Sequence, residues 1–362
     1  MPIYQVTAFR HPALGQSTGF DYTRTSNPTR FVLEEVLAEL EGGGRASVFS
    51  SGLAGLDAVF RLFKPGDRLV VTEDPYGGSI RLLDLYAAYG LEAVYVNTAD
   101  TEAVAEVFAK GPVAGLFVEI PTNPLLRVAD LKALSALAGQ HGAKFIVDNT
   151  FLTSARLKPF EFGADIVVYS GTKYLAGHND VLAGVVVSRD ESTGERIAFL
   201  QNAVGATLGP LDCWLFLRGL KTLSVRLARQ EENALAVARF LSGHPNVSKV
   251  FYPGLETDPG HKLLAGQASG FGGMVSFEVK SPGLVPEILK KVKVFLFAES
   301  LGGAESLITF PVVQTHGDVP VEVRERLGIG DRLLRLSLGL EDADDLIADL
   351  DSVLGGFPCK AG

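Results

Sequence analysis

Apolar runs and helical segments alternate along the first 190 residues, and this alternation restricts the fold more than any other feature. Each short run rich in β-branched residues is followed by a segment in which apolar residues recur at helical spacing. Parallel strands joined by helices produce this order, with both faces of the sheet covered. The predicted strands are 46–49, 69–71, 93–96, 116–119, 144–148, 166–169 and 181–187. The sequence therefore predicts an α/β fold with a largely parallel seven-stranded sheet.

The rest of the chain predicts two further regions. Residues 1–28 lack periodicity and are rich in Thr, Pro, Ser and Gly, which indicates an extended arm. A helical region over 192–243 is followed by strands near 247–252, 273–279 and 333–338 and by helices near 284–291 and 342–354. We therefore expect an arm over 1–28, a large domain over 29–227 and a smaller α/β domain over 228–362.

Charge and cysteine content exclude several classes of protein. A net charge of -9 argues against a nucleic-acid partner, because binding along a phosphate backbone needs a basic face. Cys213 and Cys359 lie too far apart for a disulfide framework or a metal site, so no metal is expected and a reducing cytoplasm is the simplest location. The N-terminus does not resemble a signal peptide, and no apolar run reaches membrane-spanning length.

Chemically capable residues follow several of the predicted strands. Ligands of open α/β sheets collect at the carboxyl ends of the strands, where these residues should meet. The residues are Gly52, Tyr76, Asn123, Asp148 and Lys173. Each one alone matches a common turn or surface feature, but five of them at strand ends favour a single site.

Lys173 is the most informative of these residues, because it comes just after a buried strand. Its position suits an amine that forms a Schiff base with a carbonyl compound. Ser170 and Thr172 offer hydroxyl donors beside it, as a phosphate group requires. Gly52 and Leu53 begin a helix directly after a strand, and free N–H groups at a helix start attract anions.

Three more residues complete a set that suits pyridoxal 5'-phosphate. The Tyr76 ring can lie on a ligand, Asp148 emerges from a buried strand and needs a cationic partner, and Arg335 can bind a carboxylate. An acid beside the pyridine nitrogen keeps the ring protonated, and the protonated ring stabilises a carbanion at the substrate Cα. The released lysine can then act as the general base.

The sequence also resembles the Cys/Met-metabolism, or transsulfuration, branch of fold-type I pyridoxal-phosphate enzymes, whose fold is like that of aspartate aminotransferase. The resemblance extends over nearly the whole chain. Its motifs here are Tyr22-Thr23-Arg24-Thr25-Ser26-Asn27-Pro28-Thr29, Asp74-Pro75-Tyr76-Gly77-Gly78, Pro121-Thr122-Asn123-Pro124, Val147-Asp148-Asn149-Thr150-Phe151, Ser170-Gly171-Thr172-Lys173-Tyr174 and Glu299-Ser300-Leu301-Gly302-Gly303.

This resemblance implies a role for each matching residue. Lys173 would bond the cofactor, Asp148 would hold its ring nitrogen next to Thr150, Tyr76 would stack on the ring, and Asn123 would approach its phenolic oxygen. The expected phosphate ligands are Gly52, Leu53, Ser170 and Thr172, with Tyr22 and Arg24 contributed by a neighbouring subunit. Arg335 and the backbone around Ser300 would bind the substrate α-carboxylate, and Glu299 would meet a distal ammonium group. The resemblance further implies a homotetramer whose active sites are shared across a dimer.

The motifs limit the number of possible reactions but do not identify a single one. Gly78 stands where methionine γ-lyases usually carry cysteine, and residues 309–320 resemble bacterial cystathionine γ-synthases and β-lyases. We expect γ-replacement on an O-acyl homoserine by cysteine; cystathionine β- or γ-lyase and O-acetylhomoserine sulfhydrylase activities stay open. Ile120 and Gly171, which depart from the family pattern, leave room for a specialised γ-replacement enzyme of secondary metabolism. A catalytically silent binding relative is the alternative of a different class.

Overall fold

Two β-sheets organise the chain in the computed structural model, which describes residues 1–317 and 319–355. The larger sheet has seven strands in the spatial order β1-β7-β6-β5-β4-β2-β3. The strands are β1 (Arg45–Phe49), β2 (Arg68–Thr72), β3 (Glu92–Val96), β4 (Gly115–Glu119), β5 (Lys144–Asp148), β6 (Ile166–Ser170) and β7 (Gly184–Ser188). Only β7 runs antiparallel to its neighbours, so the carboxyl ends of the other strands share one edge. The predicted α/β class and largely parallel sheet are confirmed.

Helices cover both faces of this sheet, and most begin at a side chain that caps the free N–H groups. Asn27, Ser51, Asp100, Asp130 and Asp190 each accept a backbone N–H at such a start. The helices are α1 (Pro28–Glu41), α2 (Gly52–Phe60), α3 (Gly77–Ala87), α4 (Thr101–Ala109), α5 (Leu131–His141), α6 (Glu191–Val204), α7 (Pro210–Leu220) and α8 (Leu223–Gly243), with a 3-10 turn at Pro159–Phe162. Two large clusters of buried apolar side chains lie between helices and sheet.

The second sheet has five strands in the order β10-β11-β12-β9-β8 and its own apolar cluster. Its strands are β8 (Val247–Phe251), β9 (Met274–Val279), β10 (Leu296–Phe297), β11 (Leu307–Thr309) and β12 (Leu333–Ser337). The helices of this region are α9 (His261–Gln267), α10 (Leu284–Lys291), α11 (Val321–Leu327) and α12 (Ala343–Leu354). The sequence analysis missed β10, β11, α9 and α11, because elements of two to seven residues are too short to show a period.

Two predicted boundaries differ from the structure. The seventh strand begins at Gly184 instead of 181, because the backbone N–H and carbonyl of Ala183 bond the hydroxyl of Thr172. The predicted helical region over 192–243 is three helices, separated by Gly205–Gly209 and by the junction between α7 and α8. Thr207 in the first break pairs with Phe49 of β1.

The first 27 residues form no regular helix or strand and are mostly exposed, as expected for an arm. The division at 28/29 and 227/228 stays a prediction. Asp318, Cys359 and the last residues of the predicted small domain lie outside the described residues. No helix among the described residues is long and apolar enough to span a membrane.

Candidate active site

A cavity of about 310 Å³ opens at the shared carboxyl edge of the large sheet. Its wall includes side chains from both sheets, so residues far apart in sequence meet there. Twelve of the residues singled out from the sequence line it: Gly52, Leu53, Tyr76, Asn123, Asp148, Thr150, Ser170, Thr172, Lys173, Glu299, Ser300 and Arg335. The structure therefore brings these residues together around one cavity, and their functional roles stay predictions.

Lys173 lies in the loop after β6 and is largely removed from solvent. Its Nζ donates to Ser300 Oγ at 3.0 Å, which connects the two sheets across the cavity. Burial, and after it the positive charge of Arg335, lowers the pKa of Lys173 to about 8, while the charge of Glu299 opposes the shift. A lowered pKa leaves more of the amine neutral near pH 8, and the neutral amine is the nucleophile.

Asp148 ends β5 beneath the cavity. Its Oδ1 accepts the backbone N–H of Thr150 at 2.9 Å and the Thr150 hydroxyl at 2.6 Å. Burial raises the pKa of Asp148 to about 6, and these two bonds oppose the rise. Among the described residues, no Lys or Arg nitrogen lies within 4.0 Å of this carboxylate. The expected cationic partner is thus not supplied by the protein.

The expected phosphate end lies where α2 begins. Ser51 caps this helix through Ala54 N–H, and Gly52 approaches so closely that a Cβ there would lie 3.3 Å from Ser170 Cα. Thr172 lines the cavity and stays a predicted phosphate ligand; its hydroxyl donates to Ala183 O and accepts from Ala183 N–H. Its hydroxyl proton is therefore engaged within the protein in this structure.

Tyr76 stands at the start of α3 with 43% of its side chain exposed. Its backbone N–H donates to Glu119 Oε2 at 2.9 Å. A Cβ at Gly78 would lie 2.5 Å from Tyr76 Cε1, so the ring occupies the space that a side chain at 78 would need. With a cysteine at position 78, the Tyr76 ring could not lie where it does in this structure.

Arg335 reaches the cavity from β12 and is almost completely buried. Nη1 donates to Asn123 Oδ1 at 2.8 Å, and Nη2 donates to Ser300 O at 3.2 Å and Thr309 Oγ1 at 3.3 Å. Its buried Nε has no partner. All three acceptors are uncharged, so the guanidinium keeps its charge available for an anion.

Tyr22 and Arg24 do not line the cavity of their own chain. Arg24 donates to the carbonyl and side-chain oxygens of Asn202 and lies over the Tyr22 ring at 5.7 Å. Both residues are exposed on the arm. The contact between the two side chains shows that they share one side of the arm.

The sequence analysis missed the part that Glu119 and Asp74 have in the site. Glu119 lines the cavity at the end of β4, and Asp74 Oδ2 accepts the Thr122 hydroxyl at 2.7 Å nearby. Burial raises the pKa of Asp74 to about 7. The signal was present, because Glu119 is one more acid at the end of a predicted buried strand.

Comparison with known proteins places this site in a family. The family model for Cys/Met metabolism PLP-dependent enzymes matches residues 1–355. The chain belongs to this family. It is 46% identical over 351 residues to cystathionine gamma-synthase of Haemophilus influenzae, covering 96% of this chain and 90% of that protein. It is 45% identical over 355 residues to cystathionine gamma-lyase of Bacillus subtilis, covering 98% and 93%.

A solved structure of a family member gives the same result for the fold. The cystathionine gamma synthase of Xanthomonas oryzae pv. oryzae, in complex with aminoacrylate and cysteine, superimposes with a TM-score of 0.96 at 43% identity. The match covers 98% of this chain and 92% of that one. The chain is therefore a PLP-dependent enzyme of the transsulfuration type.

The residues present fit pyridoxal 5'-phosphate, the cofactor of the family. Asp148 is a buried carboxylate without a protein cation, which suits a protonated ring nitrogen. Lys173 has a lowered pKa beside it, and free N–H groups at the start of α2 face the same cavity. The cavity thus offers a carboxylate for a cationic ring nitrogen, an amine for the aldehyde and an anion site for the phosphate.

Two departures from the family pattern have less effect than expected. The Ile120 side chain is fully buried in the apolar core and does not line the cavity. A Cβ at Gly171 would lie 2.6 Å from Phe216 Cε1, so this glycine leaves no empty space. Neither residue enlarges the cavity, and the specialised γ-replacement activity that the two departures leave open stays a prediction.

Proposed function

We propose that the enzyme catalyses γ-replacement, joining the sulfur of cysteine to the Cγ of an O-acyl homoserine. The Cγ–O bond breaks, the acyl carboxylate leaves with its electron pair, and the new Cγ–S bond forms cystathionine. The observation that supports this most is the charge pattern of one cavity wall. Arg335 suits one α-carboxylate, while Glu299 adds a negative charge for a distal ammonium group.

The substrate end of the reaction would depend on three residues. Arg335, with its charge directed into the cavity, would bind the α-carboxylate with the Ser300 backbone beside it. Lys173 would remove the proton at Cα and move protons at Cβ, since its lowered pKa makes it a base near neutral pH. Glu299 would meet the distal ammonium group.

The cofactor end would depend on the strand ends of the large sheet. Bound pyridoxal phosphate supplies an electron sink for negative charge at the substrate Cα. Asp148, oriented by Thr150, would hold the ring nitrogen, Tyr76 would pack on the ring, and Asn123 would approach its phenolic oxygen. Gly52, Leu53, Ser170 and Thr172 would hold the phosphate.

Cystathionine lyase activity is the second candidate. The relatives named gamma-synthase and gamma-lyase match this chain equally well, at 46% and 45% identity. β-Elimination needs proton removal at Cα alone, whereas γ-chemistry also needs proton movement at Cβ. Lys173 could serve both reactions.

The deciding experiment gives the purified holoenzyme L-cystathionine and, separately, an O-acyl homoserine with cysteine. Cystathionine from the second mixture supports the proposal. Pyruvate with homocysteine from the first would instead establish a β-lyase, and 2-oxobutyrate with cysteine a γ-lyase. No product from either would overturn both candidates.

We further propose a homotetramer in which Tyr22 and Arg24 complete the phosphate site of a neighbouring subunit. In support, neither residue lines its own cavity and both are exposed. Mixing inactive Arg24→Ala and Lys173→Ala chains should restore activity, because a mixed dimer contains one site with both residues intact. No recovery in a mixture shown to contain mixed dimers would overturn the shared site.

We also propose a cytoplasmic location. The chain contains only two cysteines, far apart in sequence, and Cys213 is a buried free thiol, as suits a reducing compartment. Fractionation of the native host would test this location.

A further inference from the structure

Glu119 and Asp148 lie side by side below the cavity. They end the adjacent parallel strands β4 and β5 and are direct register partners. Alternate residues of a strand face the same way, and Phe117 and Ile146, two positions earlier, both belong to one apolar cluster. The two carboxyl groups therefore emerge on the same face of the sheet, and both line the cavity.

Together with Asp74, the pair makes three acidic groups that face one cationic group, Arg335. Asp74 approaches from the loop after β2, and Arg335 approaches from β12. Arg335 bonds only uncharged acceptors, and among the described residues no Lys or Arg nitrogen lies within 4.0 Å of either carboxyl. Glu119 instead accepts the backbone N–H of Tyr76 at 2.9 Å.

Two adjacent buried carboxyl groups do not both ionise readily, so such a pair retains one proton near neutral pH. Burial, and then the charge of Asp148, raises the pKa of Glu119 well above its ordinary value of 4.5. Asp148 accepts two hydrogen bonds from Thr150, which stabilise its ionised form. The hydrogen bonding therefore favours the proton on Glu119.

We propose that Glu119 is a positioning residue that acts as a neutral carboxylic acid. It leaves Asp148 ionised for the ring nitrogen of the cofactor, and it fixes Tyr76 through the Tyr76 backbone N–H. This inference rests on the roles proposed above for Asp148 and Tyr76. These roles do not need a negative charge on Glu119, but they do need its carbonyl oxygen, which accepts the Tyr76 N–H.

Two substitutions separate these properties. Glu119→Gln keeps a neutral group of the same shape with an acceptor for Tyr76 N–H, whereas Glu119→Leu keeps the approximate volume and removes the acceptor. We expect Glu119→Leu to lose about 100-fold in kcat with a smaller change in KM, as for a displaced catalytic group, and Glu119→Gln to recover most of that loss. Glu34→Gln is the matched control, because Glu34 also accepts a backbone N–H but lies outside the cavity.

Activity can overturn the proposal in two ways. If Glu119→Gln falls as far as Glu119→Leu, the negative charge is what matters. If Glu119→Leu is as active as the wild type, Glu119 has no positioning role. The absorbance of the bound cofactor, titrated against pH, should follow the wild type in Glu119→Gln and shift in Glu119→Leu.

Thermal melting of the cofactor-free protein tests, independently of catalysis, whether Glu119 carries the proton. A carboxyl whose pKa is raised on folding stabilises the fold fully below its unfolded pKa, and this contribution is lost as pH rises toward the folded pKa. Glutamine does not titrate, so Tm of Glu119→Gln minus wild-type Tm should grow by about 2 °C or more between pH 5 and pH 8. A difference that stays constant or shrinks would overturn the proposal, even if the proposed reaction is confirmed.

Discussion

The loop around Lys173 and the acidic floor of the cavity satisfy their polar groups in opposite ways. The loop is closed by its own hydrogen bonds, and Arg226 of α8 donates to the carbonyls of Tyr174 at 2.8 Å and Leu175 at 3.4 Å. The floor, formed by Glu119 and Asp148, has charge that the protein leaves unpaired, because among the described residues no Lys or Arg nitrogen lies within 4.0 Å of Asp148.

This contrast shows which part of the site is completed by the protein and which part needs a ligand. A buried polar group without a partner costs free energy, so an incomplete floor is stable only if binding offsets that cost. The loop around Lys173 is held by bonds to its backbone, so its lysine is in place before the cofactor arrives.

Removal of the amine itself should have the largest effect. Lys173→Ala should abolish turnover and the absorbance of lysine-bound cofactor, because among the described residues Lys173 supplies the lysine amine that lines the cavity. Spectra and product assays measure both. Lys221→Ala, at an exposed lysine, is the control. A yellow and active Lys173→Ala protein would contradict the assignment.

The pH dependence of cofactor capture should show the lowered pKa of Lys173. Since the neutral amine reacts, the rate should rise with pH and level off near 8, whereas an ordinary lysine would level off near 10.5. At pH 8 this difference corresponds to a roughly 100-fold larger neutral fraction. Stopped-flow absorbance with the cofactor-free protein measures it. A rate that still rises steeply at pH 10 would show an unperturbed lysine.

Arg226→Lys should loosen the loop around Lys173, because Arg226 bonds backbone carbonyls of this loop. A single ammonium cannot serve the spread carbonyls that the guanidinium bonds, including Gly219 O at 3.0 Å. We expect kcat to fall about tenfold, the energy of roughly one hydrogen bond, and the midpoint of cofactor capture to shift. The matched control is Arg229→Lys, one turn further along α8, where the arginine bonds Glu341 O instead. A lower Tm with unchanged kcat and midpoint would limit Arg226 to stability.

Gly78→Ala should have the smallest effect. The new Cβ would lie 2.5 Å from Tyr76 Cε1, but the ring is partly exposed and can move aside. A displaced ring should weaken cofactor binding by about threefold, less than the usual cost of overpacking a closed core. Gly139→Ala is the control, because nothing lies within 4 Å of its Cβ position. Equal cofactor affinity in the two variants would show that ring placement at Tyr76 is not limiting.

The local pattern of the chain was sufficient to predict the large sheet, and together with the family resemblance it identified half of the residues that line the cavity. Periodicity identified the buried strands, and residues at strand ends such as Asp148 and Lys173 must meet when the strands are parallel. Short elements such as Leu296–Phe297 gave no period and were missed. The arm residues Tyr22 and Arg24 stand apart from the cavity of their own chain, so their predicted role belongs to the assembly.

The sequence by itself determined the fold class, the order of the strands along the chain and which side chains stand at strand ends, because strand and helix periods depend only on neighbouring residues. Tertiary structure alone decided which groups bond one another. Arg335 donates a hydrogen bond to Asn123, which lies 212 positions away in sequence. Glu119 lies beside Asp148 because of the strand register, and the hydroxyl of Thr172 donates to the carbonyl of Ala183. Such partnerships depend on packing between distant segments, and no local pattern encodes them.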